Sequence, residues 1–218
     1  MFNQIAEVEL YRSNVISLVK TLFTSPDGKT FDRDVVRHVG AVSIVPLLQN
    51  RKQVILLSQF RASIGKPLFE VPAGKRDVAE EPQELTAVRE LEEELGLKCS
   101  TLIKLGEFDN SPGFTDEHSY SYMACGLSLG KIAPQSVEEA QSSIVVTDLG
   151  KVPQLISMGI ITDAKTIIGL ARVSHYLECE TQCRSELYPI SWSSSDAGGD
   201  SPLDTDEVTT WSRTLPIL

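Results

Sequence analysis

Residues 82–96 constrain this chain more than any other stretch. Pro82 stands where a first helical turn tolerates proline, Leu85, Val88, Leu91 and Leu95 recur at three- and four-residue spacing, and Gly96 supplies a stop. The spacing predicts an amphipathic helix whose apolar stripe needs a partner layer. The same helix carries Arg89-Glu90-Leu91-Glu92-Glu93-Glu94-Leu95. Residues three and four apart on a helix are surface neighbours, roughly 5 to 6 Å between β-carbons, so Glu90 stands beside both Glu93 and Glu94. Like charges at that spacing destabilise a bare helix, and no lysine follows four residues after Glu90 or Glu93 to compensate. Two readings stand at this point. One is a solvated acidic face with Arg89 paired to Glu92 or Glu93. The other is an oxygen-rich cluster for a hard divalent cation, Mg²⁺ above all, which keeps some of its waters and bridges to substrate phosphates.

The rest of the chain supplies the layers. Residues 5–37 read as three short strands, with a turn at Ser25-Pro26-Asp27-Gly28. Residues 40–48 and 53–60 are aliphatic runs bounded by polar or turn residues, as buried strands should be. Further strands are predicted over 101–108, 119–127 and 144–147, and a second helix after Asp163 with Ile167, Leu170, Ala171 and Leu177 on one side. Helices and strands interleave, which implies an α/β sheet covered by helices. Beyond residue 178 the chain turns Ser-, Gly- and Asp-rich while holding both tryptophans, Trp192 and Trp211, so 178–218 reads as a tail, part of it docked. The expected division is 1–38, a β appendage; 39–177, the main domain; and 178–218, the tail.

Charge and cysteine usage exclude several classes. Lys and Arg number 20 against 30 Asp and Glu, a formal net charge of -10, which argues against nucleic acid as a partner. Cys99, Cys125, Cys179 and Cys183 contain no CxxC pair, and with only His38, His118 and His175 to help, a zinc site is not expected. No apolar run approaches a membrane span, and the N-terminal residues lack the apolar core of a secretory leader. The even cysteine count leaves disulfides open, but the simpler expectation is a reduced, cytoplasmic protein without a membrane partner.

The surroundings of the acidic helix decide between its two readings. Gly74, Glu81, Arg89, Glu90, Leu91, Glu93, Glu94, Gly96 and Leu97 resemble the box of the Nudix hydrolase family, G-x5-E-x7-R-E-U-x-E-E-x-G-U with U aliphatic. One departure is visible: six residues, not five, separate Gly74 from Glu81, while Glu80 fits the glycine spacing but sits one too far from Arg89. Residues 68–74, Leu-Phe-Glu-Val-Pro-Ala-Gly, the run Gln59-Phe60-Arg61, and residues 110–117, Asn-Ser-Pro-Gly-Phe-Thr-Asp-Glu, are similar to the ADP-ribose pyrophosphatases within that family. The longer glycine spacing, Leu85-Thr86-Ala87 and Pro202-Leu203-Asp204-Thr205 are similar to actinobacterial members.

The resemblance implies a Nudix α/β/α sandwich with a mixed sheet behind the N-terminal β appendage. It further implies Mg²⁺-dependent hydrolysis of the diphosphate of ADP-ribose to AMP and ribose 5-phosphate, with Mn²⁺ as a possible substitute metal. Carried over residue by residue, Glu90, Glu93, Glu94 and the carbonyl of Ala73 would hold metal. Gly74, Glu81 and Arg89 would be structural. The base that activates water would come from the loop holding Glu138 and Glu139, with Glu138 favoured. Arg61 would meet the diphosphate, Glu70 and Asp116 the ribose hydroxyls, and Phe114 a sugar or base. Arg33 would approach the adenine of a neighbouring subunit, since the appendage in this subfamily exchanges across a homodimer. Two alternatives keep the fold: a broader nucleoside diphosphate sugar pyrophosphatase, and a non-catalytic sensor of ADP-ribose-like ligands. The intact Glu90, Glu93 and Glu94 set argues against the sensor, because binding alone does not require a full metal cluster.

Overall fold

The computed structural model describes residues 1–182. In chain order the strands are β1 (Asn3–Arg12), β2 (Ile16–Thr24), β3 (Thr30–His38), β4 (Ala41–Pro46), β5 (Gln53–Arg61), β6 (Lys66–Glu70), β7 (Ala73–Lys75), β8 (Leu97–Asp109), β9 (His118–Leu129) and β10 (Ser143–Asp148). The helices are α1 (Gln83–Leu95), the single turn α2 (Val137–Ala140), α3 (Val152–Ser157) and α4 (Ala164–Gln182). All six residues of β4 are buried, which a strand allows only when both sheet faces are covered. Successive residues go to opposite cores. Ile44, Ile55, Leu57, Tyr122 and Ala124 pack with Leu91 and Leu95 of α1. Val45, Val54, Leu56 and Met123 pack with Val152, Leu155, Leu170 and Val173 of α3 and α4. The expected α/β/α sandwich follows from that alternation.

One sheet has the order β7-β4-β9-β8 and the other β10-β5-β6. The first is mixed, because β4 and β9 run parallel, Ala41 opposite Ser119 through Pro46 opposite Ala124, while their outer neighbours are antiparallel. The short strands β6 and β7 and helix α3 were not expected from the sequence. Three to six residues leave too little pattern for a period to show.

The helices depart from the expected stripes in detail. Leu91 and Leu95 of α1 are fully buried, but Leu85 is 37% exposed and Ala87 takes the inner place. Leu85 lies in the first turn of α1. On α4 the inward residues are Leu170 and Val173, whereas Ala171 faces solvent. That helix runs to Gln182, across the expected boundary at 178, with Tyr176 and Leu177 packed on the core and Arg51 paired to Glu180. The rest of the tail, with Cys183, Trp192, the 202–205 motif and Trp211, lies outside the described residues. No helix among those described is long and apolar enough to cross a membrane.

The appendage is an antiparallel meander of β1, β2 and β3. Its second turn forms where Pro26 and Gly28 place it: Gly28 adopts a φ of 84° and its N–H donates to the Ser25 carbonyl. Every residue of β1 is exposed. The meander is tied to the main domain by the loop between β8 and β9. Val36 N–H donates to the Phe114 carbonyl at 2.8 Å, His38 N–H to Asp116 Oδ1 at 2.8 Å, and Arg37 Nη1 to Asp116 Oδ2 at 3.0 Å.

Candidate active site

The turn before α1 carries the extra residue of the box. Glu80 takes a φ of 60°, a left-handed conformation uncommon outside glycine. That kink brings Glu81, not Glu80, to Arg89: Glu81 accepts from Arg89 Nε at 3.4 Å and Nη2 at 3.3 Å, and from Thr86 Oγ1 at 2.8 Å. Arg89 also meets Glu90 at 2.8 Å and Glu93 at 2.9 Å. One guanidinium therefore orders Glu90 and Glu93 on the helix together with Glu81 in the turn before it.

Gly74 lies directly against the helix. A β-carbon there would fall 1.9 Å from Glu90 Cδ, so only glycine leaves room for that carboxylate. One residue earlier, Ala73 N–H donates to Glu94 Oε2 at 3.1 Å. Glu90 and Glu94 are only 8% and 6% exposed. Burial pushes the Glu90 carboxyl up to about 7, against the pull of Arg89. Burial, reinforced by the charge of Glu90, pushes Glu94 up to about 8. Glu139 adds to the negative field at both. Glu94 has no ion-pair partner among the described residues, and Glu90 shares the one guanidinium of Arg89 with Glu81 and Glu93.

These groups share one cleft of about 760 Å³. It gathers Arg61, Ala73, Gly74, Arg89, Glu90, Glu93, Glu94, Glu138 and Glu139, residues spread over 79 positions of sequence. The two late glutamates come from α2. Ser136 caps it, accepting the Glu139 N–H at 3.1 Å, and Glu139 Oε2 accepts the Gln135 N–H at 2.6 Å. Glu139 is thus tied into its own turn. No hydrogen bond or ion pair among the described residues holds the Glu138 carboxylate.

Several expected substrate contacts lie elsewhere. Glu70 is 1% exposed and sits behind Arg61, accepting its Nε at 2.9 and 3.0 Å. It orients that guanidinium and has no face on the cleft. Asp116 is taken by Arg37 and the His38 N–H. Phe114 is 57% exposed on the loop. Arg33 lies over the Phe31 ring at 4.8 Å in the appendage. The cleft also includes His38, Phe60, Lys75, Glu117 and Lys165. Phe60 adjoins Arg61 in a run the sequence singles out, but nothing local marks Lys165, which reaches the cleft only through the docking of α4.

An all-oxygen donor set of this kind has the chemistry of a hard divalent cation site. Glu90 and Glu93 are engaged with Arg89, and among the described residues no three carboxylate, imidazole or thiol groups converge on one metal position. The donors fit such an ion in type, and it would bring positive charge to the buried Glu94, which has no ion pair among the described residues, and to Glu90, which shares Arg89 with Glu81 and Glu93.

A cleft bordered by the box helix, on a mixed sheet between helical layers, defines a protein class. The chain belongs to the Nudix family: the NUDIX domain model matches residues 37–155. It is 35% identical over 172 residues to the ADP-ribose pyrophosphatase of Mycobacterium tuberculosis, covering 79% of this chain and 83% of that protein. It is 35% identical over 162 residues to the ADP-ribose pyrophosphatase of Bacillus subtilis and, over the same length, to the methanol dehydrogenase activator of Bacillus methanolicus. Each of those two matches covers 74% of this chain and 86% of the relative. Among solved structures, an ADP compounds hydrolase superposes with a TM-score of 0.72 over 84% of this chain and 97% of that one. At 18% identity that likeness speaks for the fold alone.

Proposed function

We propose that this chain hydrolyses the diphosphate of ADP-ribose to AMP and ribose 5-phosphate, with Mg²⁺ as metal and Mn²⁺ as a substitute. The observation that carries the reading is the convergence of Glu90, Glu93, Glu94, Glu138, Glu139 and Arg61 on one cleft, in a chain with two ADP-ribose pyrophosphatases among its relatives. A water oxygen attacks one phosphorus and the P–O bond to the bridging oxygen breaks, leaving one phosphate on each product. Bound here, the cation would offset the diphosphate charge and acidify the attacking water. Glu90, Glu93, Glu94 and the Ala73 carbonyl would hold it. Arg89, kept in place by Glu81, sets the glutamates, and Arg61, braced by Glu70, offers a guanidinium edge to phosphate oxygens. Glu138, whose carboxylate has no partner among the described residues, accepts the proton from water.

The appendage fits a homodimer. Phe2, Ile5, Val8, Leu10 and Tyr11 of the N-terminal segment are more than half exposed in the single chain, and pairing across subunits would cover them. In such a dimer Arg33 and Phe114 would be placed to meet the neighbour's nucleotide. The cytoplasm is the compartment this reading assigns.

The test is turnover of ADP-ribose, ADP-glucose, NADH, UDP-glucose and diadenosine polyphosphates at matched concentration with Mg²⁺. ADP-ribose should lead. Preference for UDP-glucose would replace the reading with a broader nucleotide-sugar pyrophosphatase, and binding of ADP-ribose without turnover of any compound would replace it with a sensor.

A further inference from the structure

Among the cations lining the cleft, Arg89 is committed to Glu81, Glu90 and Glu93, and Lys75 is exposed. Arg61 and Lys165 differ from both, because among the described residues each is paired with a single carboxylate, itself withdrawn from solvent, and is not shared among several. Glu70 holds Arg61. Asp163, with a side chain 10% exposed, holds Lys165 Nζ at 3.0 Å. The anchor is fixed in turn: Asp163 Oδ2 accepts both the N–H and the Oγ1–H of Thr166 at 2.8 Å, capping α4. Thr166 Oγ1 then accepts the Val71 N–H at 2.9 Å, one residue along from Glu70. The charge of Asp163 is felt at Arg61 as well. The two cations therefore stand on one buried scaffold that joins the end of β6 to the first turn of α4.

Asp163 takes one of the three Nζ donors of Lys165, and Glu70 engages Nε and Nη2 of Arg61 but not Nη1. Among the described residues both side chains keep donors free on a cleft otherwise crowded with carboxylates, and the positive end of the 19-residue α4 adds to the field at Lys165. We infer that Lys165 is a substrate-binding residue, donating from Nζ to a phosphate oxygen of the diphosphate while Arg61 holds another. This rests on the diphosphate reading of the cleft. It assigns Lys165 to binding and not to chemistry, since a contact made equally in ground and transition states moves KM and leaves kcat in place.

The experiment compares wild type with K165Q, K165M and K165R in two assays. In turnover of ADP-ribose, K165Q and K165M should raise KM about tenfold, the loss of one charge-assisted hydrogen bond, with kcat within threefold. K165R should stay near wild type. A role confined to bracing Asp163 would lower thermal stability and leave KM unmoved. In the second assay, calorimetry of ADP binding in EDTA, K165Q should bind about tenfold more weakly than wild type, and the difference should shrink as salt is raised. Equal ADP affinities, or no binding of ADP by wild type, overturn the inference. If wild type does not hydrolyse ADP-ribose, the diphosphate-hydrolase reading fails, and the ADP titration still decides the role of Lys165. K165M keeps the aliphatic stem and decides the question should K165Q not fold.

Discussion

A methyl group at position 74 would collide with the Glu90 carboxylate, so the glycine that opens the box is there to admit a side chain and not to make a turn. What it admits is costly, because Glu90 and Glu94 are buried close to one another. Their carboxyls sit at about 7 and about 8, raised from an ordinary 4.5, chiefly by burial. Folded protein then holds protons that unfolded chain has lost, so the stability these groups contribute is full below about 4.5 and is lost as pH rises through 7 and 8. Metal-free protein should show a Tm that falls between about pH 5 and pH 8. Mg²⁺ added at the upper end should restore it, and Glu94→Gln should flatten the pH dependence, abolish the Mg²⁺ effect and lower turnover at least about a hundredfold. A slope and an Mg²⁺ response that Glu94→Gln leaves intact would remove Glu94 from the metal set. The base is separable from its neighbour in the same way. Glu138→Gln should lower kcat by about 10² with KM for ADP-ribose little changed, whereas Glu139→Gln, which loses a contact within its own turn, should cost far less. Equal losses in steady-state assays would move the base elsewhere, with Glu117 next.

At the scale of elements, α1 does its work because both its ends are fixed. Gly96, in a left-handed conformation with φ 63°, closes the C-terminus through its N–H to Glu92. At the other end the left-handed Glu80 absorbs the extra residue of the box, which keeps Glu81 in reach of Thr86 and Arg89. A non-glycine residue pays about 1 kcal/mol for that conformation, partly recovered by glycine after its larger entropy loss. Glu80→Gly should therefore stabilise the protein by roughly 0.5 kcal/mol in urea unfolding with activity unchanged. A loss of activity would mean that Glu80, not Glu81, orders Arg89. The loop between β8 and β9 is fixed by the same logic of end contacts. Asp116 binds Arg37 and the His38 N–H, and the next residue, Glu117, is thereby held at the cleft.

The whole molecule has two parts held by different forces. The sandwich is closed by apolar cores on both sides of its sheets. The meander touches it through a few polar bonds at Val36, Arg37 and His38 and leaves the apolar side chains of β1 in solvent. A three-stranded meander has little apolar burial of its own, so in the dimer reading a second subunit supplies what is missing. Removing residues 1–36 should convert a dimer into a monomer or an aggregate with weakened ADP-ribose binding, measured by sedimentation and calorimetry. A truncated chain that sediments and binds as the full one does would rule out a dimer built through this segment.

The sequence by itself determined what rests on short-range pattern. The apolar spacing and Gly96 located α1, the aliphatic runs at 40–48 and 53–60 located β4 and β5, and Pro26 with Gly28 placed the turn between β2 and β3. The glycine, arginine and glutamate spacing of the box marked the acidic helix as a site because helical period alone brings Glu90, Glu93 and Glu94 together. Tertiary structure decided what depends on where distant segments meet. The β5–β6 pairing, Leu57 opposite Glu70, puts Glu70 under Arg61 and away from the cleft. The approach of β3 to the loop gives Asp116 to Arg37. The docking of α4 against β6 through Thr166 and Val71 brings Lys165 to a wall begun a hundred residues earlier. Local sequence carries periodicity and backbone preference, and those fix elements. A charged side chain's partner is set by which surfaces the buried cores press together, and no spacing within one element records that.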